Sequence, residues 1–510
     1  MHAAADGGLA RIRVPGGALT ARQLRVVAAA ARELGSGVIE LTSRANLQVR
    51  GLPPQHGEPL PAVHPSRDDA HAPDGESSPV GVSVRGDVGV PDGESSPVGV
   101  SVRGDVDGDT RVPDGGRRLS PAPDFAARLA AAGLLPSATH ERVRNIVASP
   151  LAGRAPASML DVRPLVSELD GELCARPALA DLPGRFLFAL DDGSGDMVAL
   201  GADVTLLPVD PADASVDVSE VALLLAGADH GLRTPVSSAV TGMLAVAEAF
   251  LAERAEQGAG AWRLAELTDG PGRVSARALR AEPDLRQAAA PAVRRGRTVH
   301  GGTVGVIAQR DGRSALTVLA ALGRLTAAQL EVLAQAAEHG GGEVRVTPWR
   351  TIVVPDLPSP EVDGRRATLT AAGLVGDPAS PWLGLTACAG RPGCAKALAD
   401  VHADVHAGVH ADVHTYIHAD IHAGVHPNAG DTGSEAGADG PDDVHPSRGL
   451  TRALPVHWSG CERRCGRPRG RVVDVVATGD GYRVEADDVS RTFADAEQTS
   501  AAVAATREGT

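Results

Sequence analysis

The segment GALTARQLRVVAAAARELGSGVIELTSRANLQVRG, which starts at Gly17, recurs in outline as GRLTAAQLEVLAQAAEHGGGEVRVTPWRTIVVPDL, which starts at Gly323. A chain that repeats a unit in this way has to build it twice, so the repeat restricts the fold more than any single motif. Each copy opens on Leu-Thr-Ala-x-Gln-Leu, with Thr20 or Thr326 placed to cap a helix through its hydroxyl. An Ala-rich amphipathic stretch follows, then a break at Gly, then a strand carrying Thr and Arg, namely Thr42 with Arg44 and Thr347 with Arg350. Farther on, LAAAGLLPS at Leu129 echoes LTAAGLVGDP at Leu369, in the same order. The expected class is α+β, with two pseudo-symmetric halves that each hold an α+β unit and a helix-covered sheet. Halves packed about a pseudo-twofold axis leave one central crevice, suited to a large planar ligand.

The chain has 510 residues, enough for three or four cores, and with 43% hydrophobic but only 2% aromatic residues those cores are packed with Ala, Val and Leu. Its net charge of −15 is localised. His64–Gly116 carries −7 and Val401–Ser447 carries −8, which leaves the remainder neutral. Both acidic stretches read as low-complexity insertions. In the first, PDGESSPVGVSVRGDV occurs at Pro73 and again at Pro91; in the second, His recurs every fourth residue from His402 to His426. Two imidazoles one helical turn apart can chelate a metal, although an expanded tetrapeptide needs no function. The N-terminus shows no apolar leader core and no uninterrupted apolar run is long enough to span a membrane, so the expectation is a soluble, cytoplasmic protein. The arginine run from Arg463 to Arg471 lacks interleaved aromatics in a chain without net positive charge, which argues against nucleic acid.

Cysteine placement carries the chemistry. Four of the five cysteines lie late in the chain, as Cys388-x5-Cys394 in TACAGRPGC and Cys461-x3-Cys465 in SGCERRCGRP. The five-residue arm is long for a zinc knuckle. Four thiolates on glycine-rich loops are the ordinary ligand set of a [4Fe-4S] cluster, with backbone amides free to approach the sulfurs. Cys174 stands apart.

With a T-x-R strand, an RN-x-x-x-x-P turn and an LPGRF segment upstream of these cysteines, the chain resembles the siroheme-type sulfite and nitrite reductase superfamily. In detail it is similar to the precorrin-3B synthases of aerobic cobalamin biosynthesis. The resemblance implies a duplicated nitrite/sulfite reductase-like architecture of ferredoxin-like half domains. Its boundaries would be 1–55 with 117–135 for the first half domain, 56–116 for an insertion, and 136–270 for a first α/β domain. A linker at 271–296, a second half domain at 297–375, a cluster domain at 376–490 (with the insertion at 401–447) and a tail at 491–510 complete the expectation. Carried over by motif, the substrate-facing residues would be Arg44, Gln48, Arg50, Arg144, Asn145 and Arg185. Reductases place a second lysine where Leu187 stands, and a Gln where Ala45 stands. Loss of those groups argues against oxyanion reduction, which relies on concentrated positive charge and proton donors.

On that basis the resemblance implies a monooxygenase that hydroxylates precorrin-3A at C20 with O2 and closes a γ-lactone. Electrons would come from a separate NAD(P)H reductase or other donor, since no GxGxxG fingerprint follows a strand. The [4Fe-4S] cluster would relay them to a mononuclear non-haem iron, for which His300 and His457 are isolated candidate ligands. The alternatives are a siroheme-dependent sulfite or nitrite reductase, with Cys465 bridging cluster and siroheme, and a non-catalytic iron–sulfur protein.

Overall fold

The computed structural model describes residues 2–53, 121–209, 217–288, 302–409, 454–468, 470–487 and 489–508. The PDGESSPVGVSVRGDV repeats and most of the His tract lie outside them. Within them the duplication runs deeper than the sequence repeat. In the first half, strands β1 (His2–Ala4), β2 (Gly7–Ile12), β3 (Ala18–Thr20), β4 (Val38–Leu41) and β5 (Leu47–Leu52) surround helix α1 (Ala21–Leu34). The second half answers with β12 (Gly305–Ala308), β13 (Ser314–Leu319), β14 (Arg324–Thr326), β15 (Glu343–Val346), β16 (Thr351–Leu357) and helix α6 (Ala327–Glu338). Both helices begin with a complete capping box. Thr20 Oγ1 accepts from Gln23 N, and Thr326 Oγ1 from Gln329 N, at 3.2 Å each, while the glutamine side chains reach back to the threonine amides.

The two halves exchange strands. β3 pairs antiparallel with β15 of the second half (Thr20 opposite Glu343), and β14 pairs with β4 of the first (Thr326 opposite Val38). The sheet orders are therefore β1-β2-β5-β4-β14 and β12-β13-β16-β15-β3. Helices α1 and α6 pack on each other across the pseudo-twofold, and Leu24, Val27, Leu330 and Leu333 join Ile12, Leu47 and Val354 in one core that belongs to both halves. At the rim, Arg25 meets Glu331 at 2.8 Å and Glu338 at 2.5 Å.

After each α+β unit comes a mixed sheet. The first is β6 (Ile146–Ala148), β7 (Phe188–Leu190) and β8 (Val204–Pro208), all parallel, then β9 (Glu220–Leu225), β10 (Ala228–Pro235) and β11 (Arg286–Gln287), antiparallel. The second is β17 (Leu385–Ala387), β18 (Val456–Ser459) and β19 (Val473–Thr478), parallel, then β20 (Gly481–Ala486) and β21 (Val489–Phe493), antiparallel. Helices α2 (Pro121–Ala131) and α7 (Val362–Ala371) flank α1 and α6, whereas α3 (Arg163–Ala175), α4 (Ala239–Glu256) and α5 (Gly270–Ala281) cover the first mixed sheet. Val236–Glu256 is long and apolar enough to cross a membrane, but Met243, Leu244, Val246 and Phe250 bury it in this sheet's core.

Two expectations change here. The opening of the His tract, expected as part of a low-complexity insertion at 401–447, is built into the fold. Residues 401–409 form helix α8, and the V-H-A-D frame puts Val401, Val405 and Val409 on one face, buried against Trp458, Val475 and Tyr482. Residues 491–510 are likewise more than a tail, since they finish β21 and form α9 (Ala496–Glu508), whose Val503 joins the same core.

Candidate functional site

Parallel pairing of β17 and β18 sets the loops that follow them side by side at the strands' C-terminal ends, where α/β sheets place their ligands. Cys388 and Cys394 lie on the first loop, Cys461 and Cys465 on the second. The Gly460 N–H donates to Cys388 Sγ at 3.1 Å, and the Cys388 N–H donates to the Trp458 carbonyl at 2.9 Å. Burial pushes the Cys388 thiol up, and the neighbouring Cys461 and Cys465 push it further, against the pull of the Gly460 and Gly390 amides. These sulfurs thus share one field. The Arg50 guanidinium, donating to the Gly393 carbonyl, feels Cys394, and His457 contacts Cys465. Soft donors, amides directed at sulfur and a shared field fit an iron–sulfur cluster.

Two buried imidazoles flank the loops. His402 of α8 bonds through Nε2 to the Cys388 carbonyl at 2.9 Å, and burial holds it down to about 3. His457 meets Thr386 Oγ1 through Nδ1 at 2.9 Å, and burial holds it down to about 4. Both are neutral at physiological pH. The mononuclear iron implied by the resemblance finds no His-based ligand set here: among the described residues, the three ligand atoms gathered within 4.8 Å of one another belong to Asp191, Asp192 and Asp196. His300 lies outside those residues.

The six candidate substrate residues separate into three places. Arg44 projects from a tight turn closed by Thr42 Oγ1, which accepts from Asn46 N at 3.1 Å, and it donates to the Gly184 carbonyl at 3.1 Å. Burial first, then Arg263, Arg185 and Arg11, push its guanidinium down to about 10, with Asp203 opposing. Arg13 sits at about 10 as well, through burial, Arg11 and Arg44. Burial and neighbouring guanidinium groups both make these cations costly, a cost that a bound anion would offset. Arg185 lies exposed at its edge, 3.9 Å from Glu266. Asn145 is a strut: its amide donates to the Gly184 and Phe186 carbonyls at 3.0 and 3.2 Å and accepts from Asn46 at 3.3 Å, joining the T-x-R turn to the LPGRF segment.

Gln48 and Arg50, two apart on β5, share a face. Arg11 donates to Gln48 at 3.1 Å, Gln48 donates to Glu40 at 2.6 Å, and Glu40 lies 3.7 Å from Arg50, which also binds Asp6 at 3.0 Å. A polar chain thus runs from the arginine crevice to the Cys394 loop. Arg144 does not join it. Its guanidinium is spent on Asp170, with two bonds of 2.7 Å, and on Glu141, and it lines a cavity of about 330 Å³ with Arg13, Arg163 and Arg345.

Sequence reasoning missed Arg263. It reaches Asp203 at 2.6 Å and the Gly201 carbonyl at 2.7 Å, bringing a guanidinium beside Arg44. Leu187, read as a charge removed from the site, is instead buried in the core under the first half. Arg263, about 80 residues downstream of Leu187 in sequence, thus brings a second guanidinium to the crevice together with its own carboxylate partner, Asp203.

The class follows from these loops and halves. Residues 2–61 and 307–372 match the nitrite/sulfite reductase ferredoxin-like half domain, so the chain carries that half domain twice. A ferredoxin–nitrite reductase of Synechococcus elongatus is 24% identical over 515 residues, covering 94% of this chain and 79% of that protein. An assimilatory ferredoxin-dependent nitrite reductase of Haloferax mediterranei is 28% identical over 190 residues, 36% of this chain and 28% of its own length. The structure of the Mycobacterium tuberculosis NirA protein superposes with a TM-score of 0.61 at 19% identity, covering 97% of this chain and 79% of that one, and the duplicated fold is the same. The superfamily resemblance stands. Precorrin-3A hydroxylation does not, because the relatives that match are named nitrite reductases.

Proposed function

We propose that this chain is an oxidoreductase of the siroheme-dependent nitrite and sulfite reductase kind, acting on a small oxyanion, nitrite foremost, with electrons from a ferredoxin-type donor. The observation that carries this reading is the polar chain Arg11–Gln48–Glu40–Arg50, which links a crowded arginine crevice to the four-cysteine loops. Cys388, Cys394, Cys461 and Cys465 would hold a [4Fe-4S] cluster, whose chemistry is one-electron transfer, and a siroheme beside it would supply the iron at which an oxyanion is reduced.

The chain's own residues account for binding. Asp203 pairs with Arg263 and Glu266 lies 3.9 Å from Arg185, while Arg44 has no ion pair among the described residues, so the crevice would attract both the carboxylates of a tetrapyrrole and an anionic substrate. Asn145 fixes the Arg44 turn against Gly184, holding the guanidinium where charge must be met without later rearrangement. Gln48 keeps Glu40 turned toward Arg50 and away from the crevice.

Anaerobic purification with optical and EPR spectra, followed by nitrite reduction with a reduced viologen dye, tests the reading. A Soret band together with a cluster signal and turnover is expected, and iron-free protein after reconstitution with siroheme and iron–sulfide would refute it. In Arg44→Met, turnover should fall by about 10²–10³-fold with the cluster signal unchanged. Wild-type turnover in that variant would remove Arg44 from the site.

A further inference from the structure

We propose that Arg350 is a positioning residue for the cysteine-bound cluster, holding its positive charge beside the Cys465 loop so that the reduced cluster is stabilised and its reduction potential raised. This rests on the reading that the four cysteines hold a [4Fe-4S] cluster. The residue occupies a left-handed turn position, φ 61°, which residues with a Cβ seldom adopt. The equivalent turn of the first half closes with the same hydrogen bonds around Ala45, φ 54°, so the turn itself does not call for an arginine.

Its location does. A Cβ on Gly466, the neighbour of Cys465, would lie 3.8 Å from Arg350 Nη2 and 3.9 Å from His457 Cε1. The charge of Arg350 also reaches His402, which bonds the Cys388 carbonyl. Glu40 is the carboxylate in its field, yet Glu40 is already engaged by Gln48, Arg324 and Arg50. Among the described residues nothing hydrogen-bonds or ion-pairs with the Arg350 guanidinium, whereas Arg50 and Arg324 on the same side are both paired. Burial accordingly lowers its pKa. A partly buried cation with no hydrogen-bonded carboxylate of its own among the described residues, held beside the Cys465 loop, would act on the electron added to a cluster there.

Reconstituted holoprotein, titrated potentiometrically and read by EPR of the reduced cluster, decides the matter. Arg350→Gly and Arg350→Asn remove the charge with residues at ease at positive φ, and Arg350→Lys keeps it. The expected result is a midpoint shifted to lower potential in the Gly and Asn variants and restored toward wild type in the Lys variant, at equal iron and sulfide content. Loss of the cluster from both neutral variants but not from Lys would equally tie the charge to the cluster. Wild-type midpoints in the Gly and Asn variants overturn the proposal, as does loss of the cluster from all three. Wild-type protein without iron or sulfide overturns the cluster reading itself, and this inference with it.

Discussion

Ser149 and Cys388 occupy the same place in the two halves. Each directly follows the first strand of a parallel trio, β6 or β17, and each backbone N–H donates to the middle strand, at Leu190 (3.0 Å) or Trp458 (2.9 Å). Each side chain then accepts an N–H from the loop after that middle strand: Asp192 N to Ser149 Oγ at 3.1 Å, and Gly460 N to Cys388 Sγ at 3.1 Å. The backbone scaffold is common, and only the side-chain atoms differ. Where the second half carries Cys388, Cys394, Cys461 and Cys465 on its two loops, the first collects Asp191, Asp192 and Asp196, with Ser149 Oγ donating to Asp196 at 2.6 Å. Burial, then Asp191, pushes Asp196 up to about 8, so the first half closes its loop pair by keeping a proton. The same scaffold thus carries acids that share a proton in one half and, on the reading proposed above, cysteines that would hold a cluster in the other.

The largest expected effect comes from giving the second half the first half's chemistry. Cys388→Ser should abolish the cluster's visible absorption and EPR signal, whereas Ser149→Ala should leave both intact and cost about 1–3 kcal/mol in denaturant unfolding through the partners it strands. A Cys388→Ser protein with a full cluster would break the comparison. Next come the glycines before the capped helices. Gly17 (φ 69°) has the Val346 carbonyl oxygen where a Cβ would go, while Gly323 (φ 74°) has only the Arg350 side chain. Gly17→Ala should therefore cost roughly 3 kcal/mol or more, and Gly323→Ala distinctly less. Equal losses would show that the turns leading into α1 and α6 are not packed as described.

Asp196→Asn sharpens the contrast through pH. A folded pKa raised above its unfolded value contributes stability that is present below the unfolded value, near 3.8, and lost as pH rises through about 8. Urea midpoints of the wild type should carry this decline between those limits, and the variant should flatten it; an unchanged slope would assign the proton elsewhere. The smallest effects belong to the caps. Thr20→Ala and Thr326→Ala should each cost about 1 kcal/mol, and matching losses in thermal unfolding would mark the two capping boxes as equivalent.

Much of the α+β duplication was legible because capping boxes and helix-to-strand breaks are local and survive divergence. A helix-covered sheet in each half was expected as well, but the equivalence of Ser149 and Cys388 was not legible, since SPLAG at Ser149 and ACAGRPGC around Cys388 share backbone roles without sharing letters. The strand repeat, aligned by its letters, falls one residue out of register. The hydrogen bonds of Thr42 and Thr347 align Arg44 with Trp349 and Ala45 with Arg350. The cysteines were legible from spacing and soft-ligand chemistry. The arginine site was only half so, because a guanidinium's use depends on which carboxylate it meets. Asp170 takes Arg144 away and Asp203 delivers Arg263, both through contacts distant in sequence. The V-H-A-D tract misled because its composition hides a valine face, visible only once Trp458 and Tyr482 are there to cover it.

The strand exchange also sets an order of events during synthesis. Until β14 has left the ribosome, β4 has an open edge, and the first sheet waits for a partner made almost 300 residues later. Such distant pairing slows folding and exposes an aggregation-prone surface meanwhile, so the nascent first half is a natural client for chaperones that mask strand edges.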